Sequence, residues 1–93
     1  MRDIKKNEYY KHFKGNWYYV YEKATHSESG EELVIYRPMY GESKLFGRPL
    51  EMFLGLVDKE KYPKCDYKYR FTSREELGLT VDQVKKEIDK NIK

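Results

Sequence analysis

Paired cysteines and long apolar runs are both missing from this sequence. The 93 residues include one cysteine, Cys65, so the fold must be stable without an internal disulfide bond. No apolar run approaches the roughly 20 residues that a membrane-spanning helix needs. The N-terminal stretch MRDIKKNEYYKHF also lacks the apolar segment of a signal peptide. We therefore expect a soluble, cytoplasmic protein that does not enter a membrane.

The sequence also lacks the short motifs that carry well-known chemistry. It has no phosphate-binding glycine loop, no dinucleotide-binding glycine fingerprint and no nucleophile elbow. Its two histidines, His12 and His26, and its one cysteine do not have the spacing of metal ligands. We therefore predict neither a metal site nor a cofactor, and we interpret Cys65 as an ordinary strand residue.

The net charge of +3 is distributed unevenly along the chain. Residues 1–16 and residues 59–72 each carry +3, residues 17–58 carry −3, and residues 73–93 are neutral. Dedicated nucleic-acid-binding proteins have a stronger basic bias than this. A basic surface would still form if the first and last strands were neighbours, as they often are in small barrels.

Strand-forming residues, including ten tyrosines, fill most of the chain. Gly15-Asn16 is typical of a two-residue hairpin turn, and the strand after it should point Tyr18, Val20 and Ala24 inward. The most regular alternation, over 64–72, predicts a half-buried strand with a basic outer face. The predicted strands are 9–14, 17–25, 33–40, 45–48 and 64–72, with a helical turn and a further strand within 50–57.

A helical pattern replaces the strands near the C-terminus. Thr80 and Gln83 have the spacing of a helix-capping box. The stripe that follows predicts a helix that packs on the sheet or on a partner, and it consists of Val81, Val84, Ile88 and Ile92. We therefore predict a mainly β fold, a small SH3-like antiparallel barrel of about five strands with a C-terminal α-helix. The barrel domain should comprise residues 1–72, and the helical extension residues 73–93.

Five short segments occur in the order and near the spacing of one known family. They read YKHFKGN at 10–16, ATHSE at 24–28, LVIYR at 33–37, YG at 40–41 and RPLEMF at 48–53. The stretch from residue 9 to residue 71 therefore resembles the bacterial domain-of-unknown-function family 1653. This resemblance implies a small cytoplasmic bacterial protein without an assigned activity, and it carries over no catalytic or binding residue.

Two arginine–proline pairs, Arg37-Pro38 and Arg48-Pro49, lie in the most apolar part of the chain. Proline restricts the preceding residue to extended geometry. Arginine binds carboxylates and phosphates through two parallel hydrogen bonds and stacks on aromatic rings. Either arginine can instead pair with a carboxylate of Glu28, Glu42 or Glu51 and close the end of the barrel. The predicted ligand-binding residues are Arg37, Arg48, Tyr40, His26, Glu28 and Glu51.

The favoured function is a non-enzymatic binding module for a peptide, a nucleotide or RNA. One alternative is an enzyme acting on a small polar or phosphorylated substrate, with His26 as base and Arg37 or Arg48 as anion clamp. His26-Ser27-Glu28 has the residue types of a catalytic triad, but neighbours on an extended chain point in alternating directions. Another alternative is an interaction or oligomerisation element that uses the helix stripe. We expect a monomer or a weak homodimer.

The segment 64–71 alternates basic and aromatic residues, as the platforms that bind single-stranded nucleic acids do. In a strand, however, its lysines and tyrosines would lie on opposite faces. We therefore expect Tyr67 and Tyr69 in the core, where they cannot stack on bases.

Overall fold

The computed structural model describes residues 2–42 and 44–91. Five antiparallel strands form one sheet in the order β4-β3-β2-β1-β5, and a longer helix follows them. The predicted class, mainly β with a C-terminal helix, is therefore confirmed. The elements are β1 (Glu8–His12), β2 (Trp17–Thr25), β3 (Glu32–Pro38), β4 (Phe46–Pro49), α1 (Leu50–Phe53), β5 (Phe71–Ser73) and α2 (Val81–Asn91).

The sheet curls but does not close into the predicted barrel. Its two edge strands, β4 and β5, approach each other. The Arg48 guanidinium of β4 lies 5.5 Å from the ring centre of Phe71 in β5. Within the described ranges no ladder joins these two strands. Both are short, and Pro49, which ends β4, lacks the N–H group that a ladder requires.

Both faces of the sheet are covered by apolar side chains. The concave face holds the larger core, where the rings of Phe53 and Phe71 stack with centres 4.1 Å apart. On the other face Trp17 packs against α2. The predicted inward residue Val20 is fully buried, and Tyr18 packs beside it. The main core consists of Tyr10, Val20, Val34, Tyr36, Phe53 and Phe71.

The turn between β1 and β2 is longer than the predicted two-residue turn. The N–H group of His12 donates to the carbonyl of Asn16 at 2.8 Å, so the loop is the three residues 13–15. Gly15 has a φ of 108° and occupies the last loop position, where a three-residue hairpin needs such a backbone. Gly15 was therefore a correct sign of a turn, but it is the last residue of the loop and not the first.

The predicted strand over 64–72 is largely wrong. Only its last residues join β5, and Tyr69 forms a single bridge with Leu56. Residues 58–68 instead form a compact loop, here called the 58–68 loop, which contains Cys65. The ends of this loop are tied together because the N–H group of Val57 donates to the carbonyl of Lys68 at 3.0 Å. Alternation in sequence therefore does not produce a ladder here.

The predicted capping box of α2 is confirmed. The N–H group of Thr80 donates to Gln83 Oε1 at 2.8 Å, and the N–H group of Gln83 donates to Thr80 Oγ1 at 3.1 Å. Val84 and Ile88 are buried against Trp17, whereas Val81 is 40% exposed, and Ile92 lies outside the described residues. In the part of the chain that is described, no helix has the length and apolarity to cross a membrane.

Candidate functional site

The two arginines predicted to bind a ligand lie on opposite faces of the sheet. Arg37 is paired with Tyr19 of β2, whereas Arg48 of β4 is paired with Val34. Because side chains alternate along a strand, Val34 and Arg37 of β3 point to opposite sides. The structure therefore does not bring the two arginines together on one surface.

Arg37 lies on the face that α2 covers. Its guanidinium is 5.9 Å from the ring centre of Tyr21, which in turn packs edge-to-face on Tyr19. Among the described residues its buried Nε has no hydrogen-bond partner. Its described contacts are with Tyr19 and Tyr21, which are not among the predicted site residues.

His26 and Glu28 lie in the loop that joins β2 to β3, and both are exposed. The Nδ1 atom of His26 accepts the N–H groups of Glu28 at 3.2 Å and Ser29 at 3.3 Å. The imidazole therefore stabilises its own loop. Glu51 of α1 is also exposed and lines a hollow of about 270 Å³ together with two further acidic residues, Glu31 and Glu32.

Arg48 meets residues that the sequence analysis did not select, in a cleft of about 300 Å³. Tyr40 does not line this cleft, and Tyr18 links it to the cleft residue His12. The hydroxyl oxygens of the two tyrosines are 2.8 Å apart, and the ring centre of Tyr18 is 6.1 Å from that of His12. We call this site the basic cleft, and it is lined by the rings of Phe13 and Tyr62 and by His12, Lys14, Arg48, Asp58, Lys61 and Arg70.

The charges of the basic cleft do not cancel. Four of its side chains are cationic, and within the described residues none of the four forms a salt bridge with a carboxylate. The carboxylate of Asp58 accepts the N–H groups of Glu60 at 3.0 Å and Lys61 at 3.4 Å, so it is engaged in its own turn. Among the described lining residues, four cations therefore face the single carboxylate of Asp58, and the cleft has net positive charge.

His12 is an uncharged hydrogen-bond donor in this cationic setting. Burial, together with the positive charges of Arg48, Lys14 and Arg70, lowers the pKa of His12 to about 4. Its Nδ1 accepts the N–H group of Lys14 at 3.1 Å. A neutral imidazole that accepts at Nδ1 carries its proton on Nε2, which is then the donor.

Two distant parts of the chain form the cleft. The N–H group of Phe13, in the β1–β2 turn, donates to the carbonyl of Arg70 at 2.9 Å. The ring of Phe13 packs edge-to-face on Tyr62 of the 58–68 loop, with ring centres 4.9 Å apart. Pairing of β1 with β5 brings these parts together. The condition for a basic surface is therefore met, because the two basic segments of the sequence are neighbours.

Most residues of the basic cleft were not predicted from the sequence as binding residues. Lys14 belongs to the YKHFKGN segment, which implies no binding residue. Arg70 belongs to the segment 64–71, whose basic and aromatic residues resemble a nucleic-acid platform but were interpreted as a half-buried strand. The net charge of residues 1–16 and 59–72 is the feature that indicated a shared basic surface. His12 was considered only as a metal ligand. Among the residues that the structure describes, no cluster of three or more His, Cys, Asp or Glu side chains is suited to hold a metal ion.

The comparisons with known proteins concern the same part of the chain as the sheet. A family model described as "Protein of unknown function (DUF1653)" matches residues 8–73, which run from the first residue of β1 to the last residue of β5. No curated protein and no solved structure matches the chain. The family match covers well over half of the sequence and agrees with the resemblance of its motifs. The chain belongs to the DUF1653 family of proteins of unknown function.

Proposed function

We propose that this protein is a non-enzymatic binding module that holds a phosphate group of its ligand in the basic cleft. Of the ligand classes expected from the sequence, a nucleotide or RNA fits this proposal better than a peptide. The observation that supports it is the group of four cationic side chains around the neutral His12, none of which forms a salt bridge with any carboxylate that the structure describes. A bound phosphate would offset their mutual repulsion and accept their hydrogen bonds.

The cleft residues suit different parts of this task. Arg48 and Arg70 offer planar guanidinium groups that can bind two phosphate oxygens at once. Lys14 and Lys61 are exposed and act as flexible point charges. The Nε2–H group of His12 adds a donor without adding charge. A pKa of about 4 makes His12 a weak base near neutral pH, which favours a binding role over general base catalysis.

Of the six predicted ligand-binding residues, the proposal keeps only Arg48; Tyr40 is linked to the cleft indirectly, through Tyr18 and His12. Arg37, His26, Glu28 and Glu51 lie elsewhere and have no role in it. The proposal also retains a cytoplasmic, bacterial setting as an expectation from the family resemblance.

The test is a binding titration with a fluorescein-labelled single-stranded oligouridine, read by fluorescence anisotropy. We expect Arg48→Gln to weaken binding by about tenfold or more, because a hydrogen bond to a charged group contributes about 1.5–3 kcal/mol. The matched control is Arg37→Gln, also a residue before proline but on the opposite face, and it should bind like the unaltered protein.

The salt dependence of the same titration provides a second readout. Loss of one phosphate contact should reduce the slope of log affinity against log salt by roughly 0.7 in Arg48→Gln. Equal affinities for the unaltered protein and Arg48→Gln would contradict the proposal. So would stronger binding of an unphosphorylated acidic peptide than of the oligouridine.

A further inference from the structure

A second hollow, of about 450 Å³, adjoins the basic cleft. The two share Phe13, Lys14 and Tyr62 in their walls. The rest of the lining comes from the 58–68 loop and includes Pro63 and the half-buried ring of Tyr67. Aromatic and proline rings therefore lie directly beside the cations of the cleft. We call this site the aromatic hollow.

Hydrogen bonds within the 58–68 loop hold the aromatic hollow in shape. The N–H group of Tyr62 donates to the carbonyl of Asp58 at 2.9 Å, and that of Cys65 donates to the carbonyl of Tyr62 at 3.2 Å. The ammonium group of Lys59 donates to the carbonyls of Cys65 and Tyr67. Since these bonds fix the backbone between the ring-bearing residues, the hollow is largely formed before any ligand arrives.

Two cations of the cleft also contact the rings of the hollow. Lys14 Nζ is 5.5 Å from the ring centre of Tyr62, and Lys61 Nζ is 5.6 Å from it. Both lysines are exposed, so they can move to a bound anion. A ligand that occupies both sites would therefore have a planar apolar part joined closely to an anionic part.

We propose that the aromatic hollow receives the nucleobase of a nucleoside phosphate whose phosphate group lies in the basic cleft. The ligand is either a free nucleotide or one unit of a single-stranded RNA. This inference rests on the proposed function and deepens it. Stacking on Tyr62, Phe13 or Tyr67 uses the face of a base, which all bases share, so discrimination among bases should be weak.

The decisive comparison uses two single-stranded probes with the same number of phosphates, an oligouridine and the corresponding abasic ribose-phosphate oligomer. The unaltered full-length protein should bind the oligouridine about tenfold more tightly than the abasic oligomer. Equal affinities would overturn the base-binding hollow and leave the phosphate-binding cleft standing. Failure to bind either probe would instead contradict the proposed function itself.

Variants locate the base. Tyr67 lines the aromatic hollow but not the basic cleft. Tyr67→Leu should therefore reduce oligouridine binding toward the level of the abasic oligomer and leave abasic binding unchanged. The control Tyr21→Leu, on the opposite face beside Arg37, should alter neither. Photocrosslinking of the unaltered protein to an oligouridine with one 4-thiouridine needs no variant. Crosslinks should map to Phe13, Tyr62 or residues of the 58–68 loop, and crosslinks confined to the α2 face would refute the assignment.

Competition by uridine monophosphate distinguishes the two sources of the ligand. If uridine monophosphate fully displaces the oligouridine at a similar concentration of nucleotides, the ligand is a free nucleotide. Displacement that requires a large excess indicates RNA, because several phosphates then contribute.

Discussion

At the scale of single residues, His12 reports on the charge of the basic cleft. Its pKa of about 4 lies below the usual value near 6.5 because of burial and three neighbouring cations. The unfolded chain therefore binds more protons than the folded one between about pH 6.5 and pH 4. Stability from this group is present above that window and is lost as the pH falls through it. The negative charge of a bound phosphate would offset the charge of the cations and raise the pKa of His12.

The first prediction is that the pKa of His12 responds to the ligand. In the free protein the imidazole should titrate near pH 4, and saturation with oligouridine should move its midpoint upward. Proton NMR of the ring resonances measures both midpoints, and the His26→Gln variant assigns the remaining signal to His12. A midpoint at or above pH 6 in the free protein would show that His12 is not buried among cations as described.

At the scale of elements, α2 packs on the sheet. Trp17 is 2% exposed because Val84 and Ile88 cover it, although all strands lie within the family match and α2 lies outside it. The segment before α2 is also tied to β1. The guanidinium of Arg74 donates to both carboxylate oxygens of Glu8 at 2.9 Å. These contacts bear on whether residues 1–72 and 73–93 behave as separate units, which stays a prediction from the sequence.

Truncation after Gly78 removes α2 and tests whether the sheet is stable without that helix. The truncated chain keeps Arg74 and Leu77 but loses Val84 and Ile88, which cover Trp17. Burial of each of these two side chains contributes about 1.5–3 kcal/mol. We therefore expect the truncated chain to lose roughly 3 kcal/mol or more of unfolding free energy, measured by urea denaturation. The double substitution Lys85→Gln and Lys86→Gln, on the exposed side of α2, is the control and should change it little. An unchanged midpoint of urea denaturation after truncation would show that α2 does not stabilise the sheet.

At the scale of the whole molecule, local patterns predicted more of the fold than of the site. The strand 17–25 is observed with the predicted bounds because strand-forming residues fill it and turn residues flank it. The segment 64–72 also alternates regularly, but most of it belongs to the 58–68 loop. There the ammonium group of Lys59 donates to the carbonyls of Cys65 and Tyr67. The cleft was harder to predict, because Lys14 and Arg70 become neighbours only through the pairing of β1 with β5. The sequence features that indicated a basic surface were the net charges of residues 1–16 and 59–72 and the basic and aromatic alternation of 64–71.

The central claim is that a phosphate-bearing ligand binds where the β1–β2 turn meets the 58–68 loop. Backbone amide NMR of the full-length protein, titrated with the oligouridine, tests it most directly because both faces of the sheet are observed at once. The predicted result is a set of shift changes at residues 12–14, at Arg48 and across 58–70, with little change at Arg37 and Tyr21. Changes centred on the α2 face, or no change at saturating ligand, would contradict the claim.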